Sequence, residues 1–509
     1  ETIVHAWEEW GEHCVEHLRG MFAFAIYDKN KQALFMARDR LGVKPLFYAV
    51  TMDNFLIFGS ELKVLLEHPS FRKNMDITGI EDYCALGYIP EPKTIYKNVY
   101  KLQAGYRLLL KRGQKQFLPE QYWEIPFATN QALSEAQAAE ELIEHLKEAV
   151  DIRMIAEVPL GAFLSGGVDS SGVVAMMSQL QKEPVNTCSI SFDDKKFNES
   201  EYADSVSKQY NTNHYVETVA TDDFELLDQL ALLYDEPYAD SSAIPTYRVC
   251  QLARKNVTVA LSGDGGDEPL SGYRRHIWHM NEEKIRSFLP YSIRKPVFGL
   301  LGELYPKADW APKIFRAKTT FQALARSSVE AYFNTVSIMP DEQRDKLFSN
   351  NMKQKLAGYQ AVSTFKQYAE KAPGMAAEDP LALIEYLDMK TYLVDDILTK
   401  VDRASMAHSL EVRVPMLDHK YIEWISALPS HLKANGQTGK YILKKSLEPY
   451  LSNDILYRKK MGFSVPLASW FRGPLKEKVR QSLLGEQFLD SGLFNSSYLT
   501  QLVNQHQSG

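Results

Sequence analysis

Cysteine is scarce in this chain. Four are spread over 509 residues, Cys14, Cys84, Cys188 and Cys250, and no two stand at a C-x-x-C spacing. That excludes a disulfide scaffold and the usual zinc and dithiol motifs. No run of about 18 apolar residues occurs, so no helical membrane span is expected. Nor is there a basic excess. Against 58 Lys and Arg stand 65 Asp and Glu, a net charge of −7 at pH 7. The electrostatic footprint of a nucleic-acid binder is missing. The local basic clusters "SGYRRH" and "YRKKMGF" suit a small anionic ligand better. Internal repeats and low-complexity stretches are absent too. With no signal-peptide pattern in the first residues, the expectation is a reducing, cytoplasmic setting.

What remains is ordinary in bulk, 45% hydrophobic and 24% charged, and long enough for about two to four domains. Its organisation changes along the chain. Residues 20 to 60 alternate and turn tightly: "MFAFAIYD", the turn "KNKQ", "ALFMARDR", then "KPLFYAV" and "NFLIFGSE" around "TMDN". This pattern predicts an antiparallel sheet. It fades by "QYWEIPFATN" (121–130), read as a linker. Ser134 and Gln137 then predict a helix capping box, with Leu142, Leu146 and Val150 repeating every four residues behind it. Strands "PLGAFL", "VNTCSISF" and "VTVALSG" alternate with helical segments such as "ESEYADSVSKQY". Such alternation predicts a doubly wound, parallel α/β sheet. From about Glu282 the chain reads as helical, with no strand rhythm.

Two stretches carry chemistry. "PLGAFLSGGVDSSGVV" (159–174) runs from strand through a glycine-rich turn into a helix, the setting in which backbone N–H groups hold phosphate. Yet it lacks the Lys-Ser/Thr pair of a Walker loop. Ser165, Ser170 and Ser171 add hydroxyls. Asp169 beside a phosphate would repel it unless a cation such as Mg²⁺ lies between. A plain Gly turn with a Ser/Asp helix cap explains this stretch alone equally well. The second stretch, "VTVALSGDGGDEPLSGYRRH", shifts the balance. It again ends a strand in a Ser-Gly turn, now bearing Asp264, Asp267 and Glu268. In a doubly wound sheet both turns meet at the C-terminal strand ends, where Asp169 and Asp267 are placed to share one Mg²⁺. Carboxylates gathered this closely repel unless a metal or a proton separates them.

At this point the chain resembles a known family. "SGGVDSS" is similar to the pyrophosphate loop of ATP pyrophosphatases. Together with "SGDGGDE…GY", "RVPMLD" (413–418), "RKKMGFSVP" (458–466), "ARDRLGVKPLFY" (37–48) and "FGSELKVLL" (58–66), it resembles glutamine-hydrolysing asparagine synthetase along essentially the whole chain. The resemblance implies an incomplete class II glutamine amidotransferase domain over 1–125 and an ATP-pyrophosphatase synthetase domain over 130–509. It also implies ATP as co-substrate, Mg²⁺, glutamine or ammonia and a carboxylate as substrates, and a possible homodimer. Ser165, Gly166, Gly167, Asp169 and Ser170 match the pyrophosphate loop. Leu164, Ile190, Ser262 and Gly263 fall where the family contacts adenosine. Asp169 and Asp267 match its metal ligands. Lys460 matches a lysine that steadies charge on the reacting phosphorus. Asp264 stands where relatives carry a glutamate that takes a proton from ammonia.

Departures from the family sharpen the reading. Its glutaminase begins with a nucleophilic cysteine, whereas residue 1 here is Glu. Cys14 sits in the helical "WGEHCVEHLRG" and reads as a core residue. Both ends therefore read as cuts, with the nucleophile segment ahead of Glu1. In "DEPYADSSAIPTYRV" (235–249), Ser241 stands where aspartate-using relatives carry a carboxylate-binding arginine, leaving Arg248, Arg274 or Arg275 to supply that charge. Glu411 and Arg413 are expected to form a buried pair. Lys400, Asp402 and Arg403 either line the acceptor site or form an ion-pair network. Two rival functions stay open: a β-lactam or peptide cyclase of the same chemistry, and a non-catalytic nucleotide-binding regulator.

Overall fold

A computed structural model describes residues 1–114, 117–128, 133–192, 199–219, 226–305, 318–458, 465 and 467–508. Strand β1 (Ala23–Asp28) returns antiparallel as β2 (Ala33–Arg38), with Ala23 opposite Arg38. Asp28 shapes the turn, its Oδ1 accepting from the N–H groups of Asn30 and Lys31, each at 2.9 Å. This is the turn chemistry expected of an Asx residue. β3 (Phe47–Val50) and β4 (Leu56–Gly59) form the second hairpin. The two hairpins do not share a sheet. β5 (Val99–Lys101) closes one sheet, in the order β4-β3-β5. β6 (Tyr106–Lys111) and β7 (Glu120–Gln121) close the other, in the order β1-β2-β6-β7. The single sheet expected over 20–60 is thus two. Partners from residues 99–121 decide it, and pairing at that separation leaves no local periodicity to read. Cys14 is fully buried with Trp7 and Phe35, and burial pushes its thiol pKa up, as a core residue requires.

The segment read as a linker is no loose tether. Ile125 and Phe127 are buried against Tyr386 and Leu417, and Trp123 Nε1 donates to Glu423 Oε1 at 2.7 Å. Beyond it, helix Glu135–Met154 opens with the full Ser134–Gln137 capping box. Leu142, Leu146 and Val150 face Val173, Val174 and Met177 of helix Val168–Leu180 and Ile442, Leu443 and Leu447 of helix Tyr441–Leu447. Each such side chain contributes about 1.5–3 kcal/mol on full burial. This layer fixes where helices 168–180 and 441–447 begin.

A five-stranded sheet lies beside that layer. Its strands are β8 (Leu160–Phe163), β9 (Asn186–Phe192), β10 (Asn213–Val219), β11 (Val259–Leu261) and β12 (Glu411–Arg413). The order is β10-β9-β8-β11-β12 and every pair is parallel. The expected α/β class with a helical C-terminal part is what the chain adopts. Two strands escape the sequence reading. β10 is a mostly exposed edge strand, and β12 has only three residues inside the stretch read as helical. The chain leaves β8 in one direction and returns on its other side at β11, so the order reverses between them.

One buried carboxylate ties the two halves of the chain together. Asp418 accepts from Arg19 Nε at 2.8 Å, Arg19 Nη2 at 2.9 Å and Arg153 Nη1 at 3.1 Å. It also caps helix His419–Ser426 through the N–H of Lys420 at 3.1 Å. Burial alone would raise its pKa; the two guanidiniums outweigh burial and hold it at about 2. The sign follows from the depressed folded pKa. The contribution is whole above the unfolded value of about 4 and fades as pH falls toward 2. Asp418→Asn keeps a good helix cap and removes the charge, so it should cost about 3 kcal/mol at pH 7. The gap to wild type should narrow as acid is added below pH 4, as urea titrations across pH would show.

Candidate active site

The reversal between β8 and β11 opens a crevice at the C-terminal ends of the strands, where open α/β sheets bind ligands. It holds a cavity of about 730 Å³. Leu164, Ser165, Gly167, Asp169, Ser170, Ile190, Ser262, Gly263, Asp264 and Asp267 all line it. The turn after β8 is organised by its own hydroxyls. Ser170 Oγ accepts from Ser165 N–H at 3.2 Å and lies 3.0 Å from Ser165 Oγ, which accepts from Gly167 N–H at 3.3 Å. Helix Val168–Leu180 starts from Gly167, so the positive end of its dipole meets the cavity. The two turns touch. A Cβ added to Gly263 would lie 2.6 Å from Ser170 N and 2.9 Å from Asp169 Cβ.

Gly166 does not line the cavity. Its φ is +70°, and a Cβ there would meet Tyr202 Cβ at 2.5 Å and Ala203 N at 2.6 Å. Its contribution is to let the turn press against helix Ser200–Tyr210. Arg458 holds the same spot from the other side. Its Nε donates to Gly166 O at 3.2 Å and its Nη1 pairs with Glu199 Oε1 at 2.6 Å. Arg458 lines the cavity; Lys460, expected two residues on, lies outside the described residues.

The acids sit in unequal surroundings. Burial pushes the Asp264 pKa up, opposed by a hydrogen bond from Ser262 Oγ at 2.5 Å and by the charge of Lys400. Burial and neighbouring Asp267 raise Glu268, whose Oε1 accepts from Tyr273 Oη at 2.6 Å. Asp169 and Asp267 instead converge on a lysine that sequence reasoning missed. Lys440 Nζ lies 2.5 Å from Asp169 Oδ2 and 2.7 Å from Asp267 Oδ1. Only "GK" before an apolar helix marked it. Among the described residues no group of three or more His, Cys, Asp or Glu is arranged for a metal. Two carboxylates facing a phosphate site are nevertheless a donor set that suits Mg²⁺, which takes its other ligands from water and phosphate. Asp169 Oδ1 is buried without a hydrogen-bond partner, an oxygen a cation would satisfy.

At the other end of the cavity, Lys400 Nζ bonds Asp240 Oδ2 and Ser242 Oγ, each at 2.7 Å. Asp402 and Arg403 turn away from it, pairing with Lys44 at 2.9 Å and with Asp235 at 3.7 Å. All three are in ion pairs, and of the three only Lys400 lines the cavity. Ser241 and Arg274 line the cavity. Arg275 does not, being held by Asp388 at 2.7 Å and by the faces of Tyr273 and Tyr392. Arg248 bonds Gln251 at 2.8 Å and is likewise not a lining residue. The Glu411–Arg413 pair forms at 2.7 Å but is not buried, Glu411 being 46% exposed. Arg413 instead donates to the carbonyls of Arg153 and Ile155, closing the C-terminus of helix Glu135–Met154.

A parallel sheet with two Ser-Gly-Asp turns at its switch point defines a nucleotide-handling α/β enzyme. Residues 141–509 match the asparagine synthase family, and residues 1–123 match the glutamine amidotransferase domain. Asparagine synthetase (glutamine-hydrolyzing) 1 of Bacillus subtilis is 30% identical over 510 residues, 99% of this chain and 77% of that protein. Putative asparagine synthetase (glutamine-hydrolyzing) 2 of Methanocaldococcus jannaschii is 36% identical over 410 residues, 80% of this chain and 76% of that protein. Amidase chry2 of Gibberella zeae is 25% identical over 527 residues, 94% of this chain and 74% of that protein. The chain belongs to the asparagine synthase family. It is a carbon–nitrogen ligase whose class of reaction is ATP-dependent amidation.

If the Gly166 turn is set by close packing, Gly166→Ala should cost about 2–5 kcal/mol, strain plus overlap. Gly113→Ala, at φ +83° with nothing within 4 Å, should cost only about 1–2 kcal/mol. Urea unfolding of the two variants checks the difference.

Proposed function

We propose that this chain activates a carboxylate as its acyl-adenylate and transfers ammonia to it, with aspartate, giving asparagine, as the first candidate acceptor. The observation that carries the reading is the meeting of the two Ser-Gly-Asp turns in one cavity at the sheet's switch point. Ser165, Gly167 and Ser170 would hold the β,γ-pyrophosphate as a leaving group, through hydroxyls and the N–H groups opening helix Val168–Leu180. Gly166 would set the shape of that turn from behind. Leu164, Ile190, Ser262 and Gly263 would bound the adenosine. Asp169 and Asp267 would hold Mg²⁺, which supplies charge neutralisation to the phosphates when bound. Asp264, whose pKa burial pushes above the usual carboxylate value, is suited to accept a proton from the attacking ammonia. Lys460 would steady the charge on the α-phosphorus. The proposed domains are 1–125 for the glutaminase part and 130–509 for the synthetase.

The acceptor end supports a carboxylate more firmly than it supports aspartate. Ser241 stands in the place of an expected arginine, and Arg274 is the one candidate among Arg248, Arg274 and Arg275 that lines the cavity. A relative named an amidase favours testing other carboxylic acids beside aspartate.

Pyrophosphate release with ATP, Mg²⁺, ammonium and a panel of carboxylic acids tests the reading. Aspartate should raise release well above background. If no acid does, the proposal is wrong. Asp169→Asn should abolish release while leaving the circular-dichroism spectrum unchanged. Asp264→Asn should keep acid-dependent ATP–pyrophosphate exchange and lose amide formation by about 10²–10⁴-fold.

A further inference from the structure

Lys440 is not placed as an ordinary surface cation. It is 5% exposed, and its ammonium reaches a carboxylate from each of the two turns. Its backbone is fixed on three sides. The residue sits at φ +54° at the start of helix Tyr441–Leu447, whose side chains enter the core. Its N–H donates to Leu270 O at 2.8 Å. A Cβ on neighbouring Gly439 would lie 2.1 Å from Ser271 O, so this segment rests directly on the acidic turn. The aliphatic stem passes Gly272, where a Cβ would meet Lys440 Cε at 2.3 Å and Asp267 Oδ1 at 2.0 Å. The chain thus delivers one positive charge to the point where two half-buried carboxylates meet.

We infer that Lys440 is an exchangeable internal counterion: it bridges Asp169 and Asp267 while no divalent cation is bound, and gives them up when one arrives. This rests on the assignment of those two carboxylates to Mg²⁺ made above. A metal arriving alone must displace a buried ammonium from both of its carboxylate partners. A metal arriving with phosphates brings acceptors for the displaced ammonium. Lys440 therefore makes metal binding depend on nucleotide, while keeping the two turns together in its absence.

Isothermal titration with Mn²⁺, without nucleotide or acceptor, tests this. Wild type should bind weakly, and Lys440→Met about tenfold or more tightly, because the competing charge is gone. Adding Asp169→Asn to Lys440→Met should remove the gain. A non-hydrolysable ATP analogue should tighten Mn²⁺ binding more in wild type than in Lys440→Met. Lys440→Gln, which keeps a donor for the carboxylates, serves if Lys440→Met folds poorly. Folding of either variant only when Mg²⁺ is supplied also supports the exchange. Two results would overturn it: Mn²⁺ binding to the variant no tighter than to wild type, or variants that stay unfolded whatever the Mg²⁺ concentration. No turnover enters this measurement, so its failure would leave the amidation proposal standing.

Discussion

Asp169 and Asp267 come from strands separated by about a hundred residues of chain, yet one ammonium nitrogen reaches both. Two half-buried carboxylates brought this close demand a cation between them. Much of the surrounding structure can be understood from that demand. The sheet order reverses between β8 and β11, so their C-terminal turns open into one crevice. The turns touch at Gly263 and Ser170 with no room for a side chain. The helical layer of Leu142, Val174 and Leu443 sets the start of two helices, one beginning at Gly167 in the first turn and the other at Lys440. Core packing far from the cavity thereby decides the geometry of charge inside it.

The halves of the chain are joined by the same kind of interaction. Arg19 and Arg153 enclose Asp418, Lys44 meets Asp402, and the N–H of Glu91 donates to Asp395 Oδ2 at 2.8 Å. Lys101 reaches Asp395 at 3.1 Å. Such pairs gain little net stability over apolar packing, but losing one partner is costly. They make the relative placement of the two halves specific.

Much of this was legible in the sequence, and the reasons it was not complete are physical. Periodicity revealed β8, β9 and β11, since buried parallel strands are continuous apolar runs. It concealed β10, whose exposed edge position admits His214, Tyr215 and Glu217, and β12, which is too short to show a period. The capping box at Ser134 was readable because its chemistry is local. Ten of the residues picked out by motif do line the cavity, nine of them in the turns that follow β8 and β11 or the first turn of the helix beyond, and Ile190 within β9. Gly166 was picked for ligand approach, but its small size serves packing against Tyr202. Lys440 escaped because its partners lie 271 residues away for Asp169; no spacing rule connects them. Glu411 and Arg413 were legible as a pair, yet nothing in "EVR" says that the pair faces solvent.

The central claim is that the carboxylate attacks the α-phosphorus of ATP, with pyrophosphate held as the leaving group by the turn at 165–170. The most direct measurement uses the acid that triggers pyrophosphate release, labelled with ¹⁸O in its carboxylate. After turnover with ATP and ammonium, mass spectrometry should find one ¹⁸O in each AMP and none in pyrophosphate. Label appearing in orthophosphate, with ADP formed and AMP unlabelled, would mean that the γ-phosphorus is attacked and that the turn at 165–170 does not hold pyrophosphate as the leaving group.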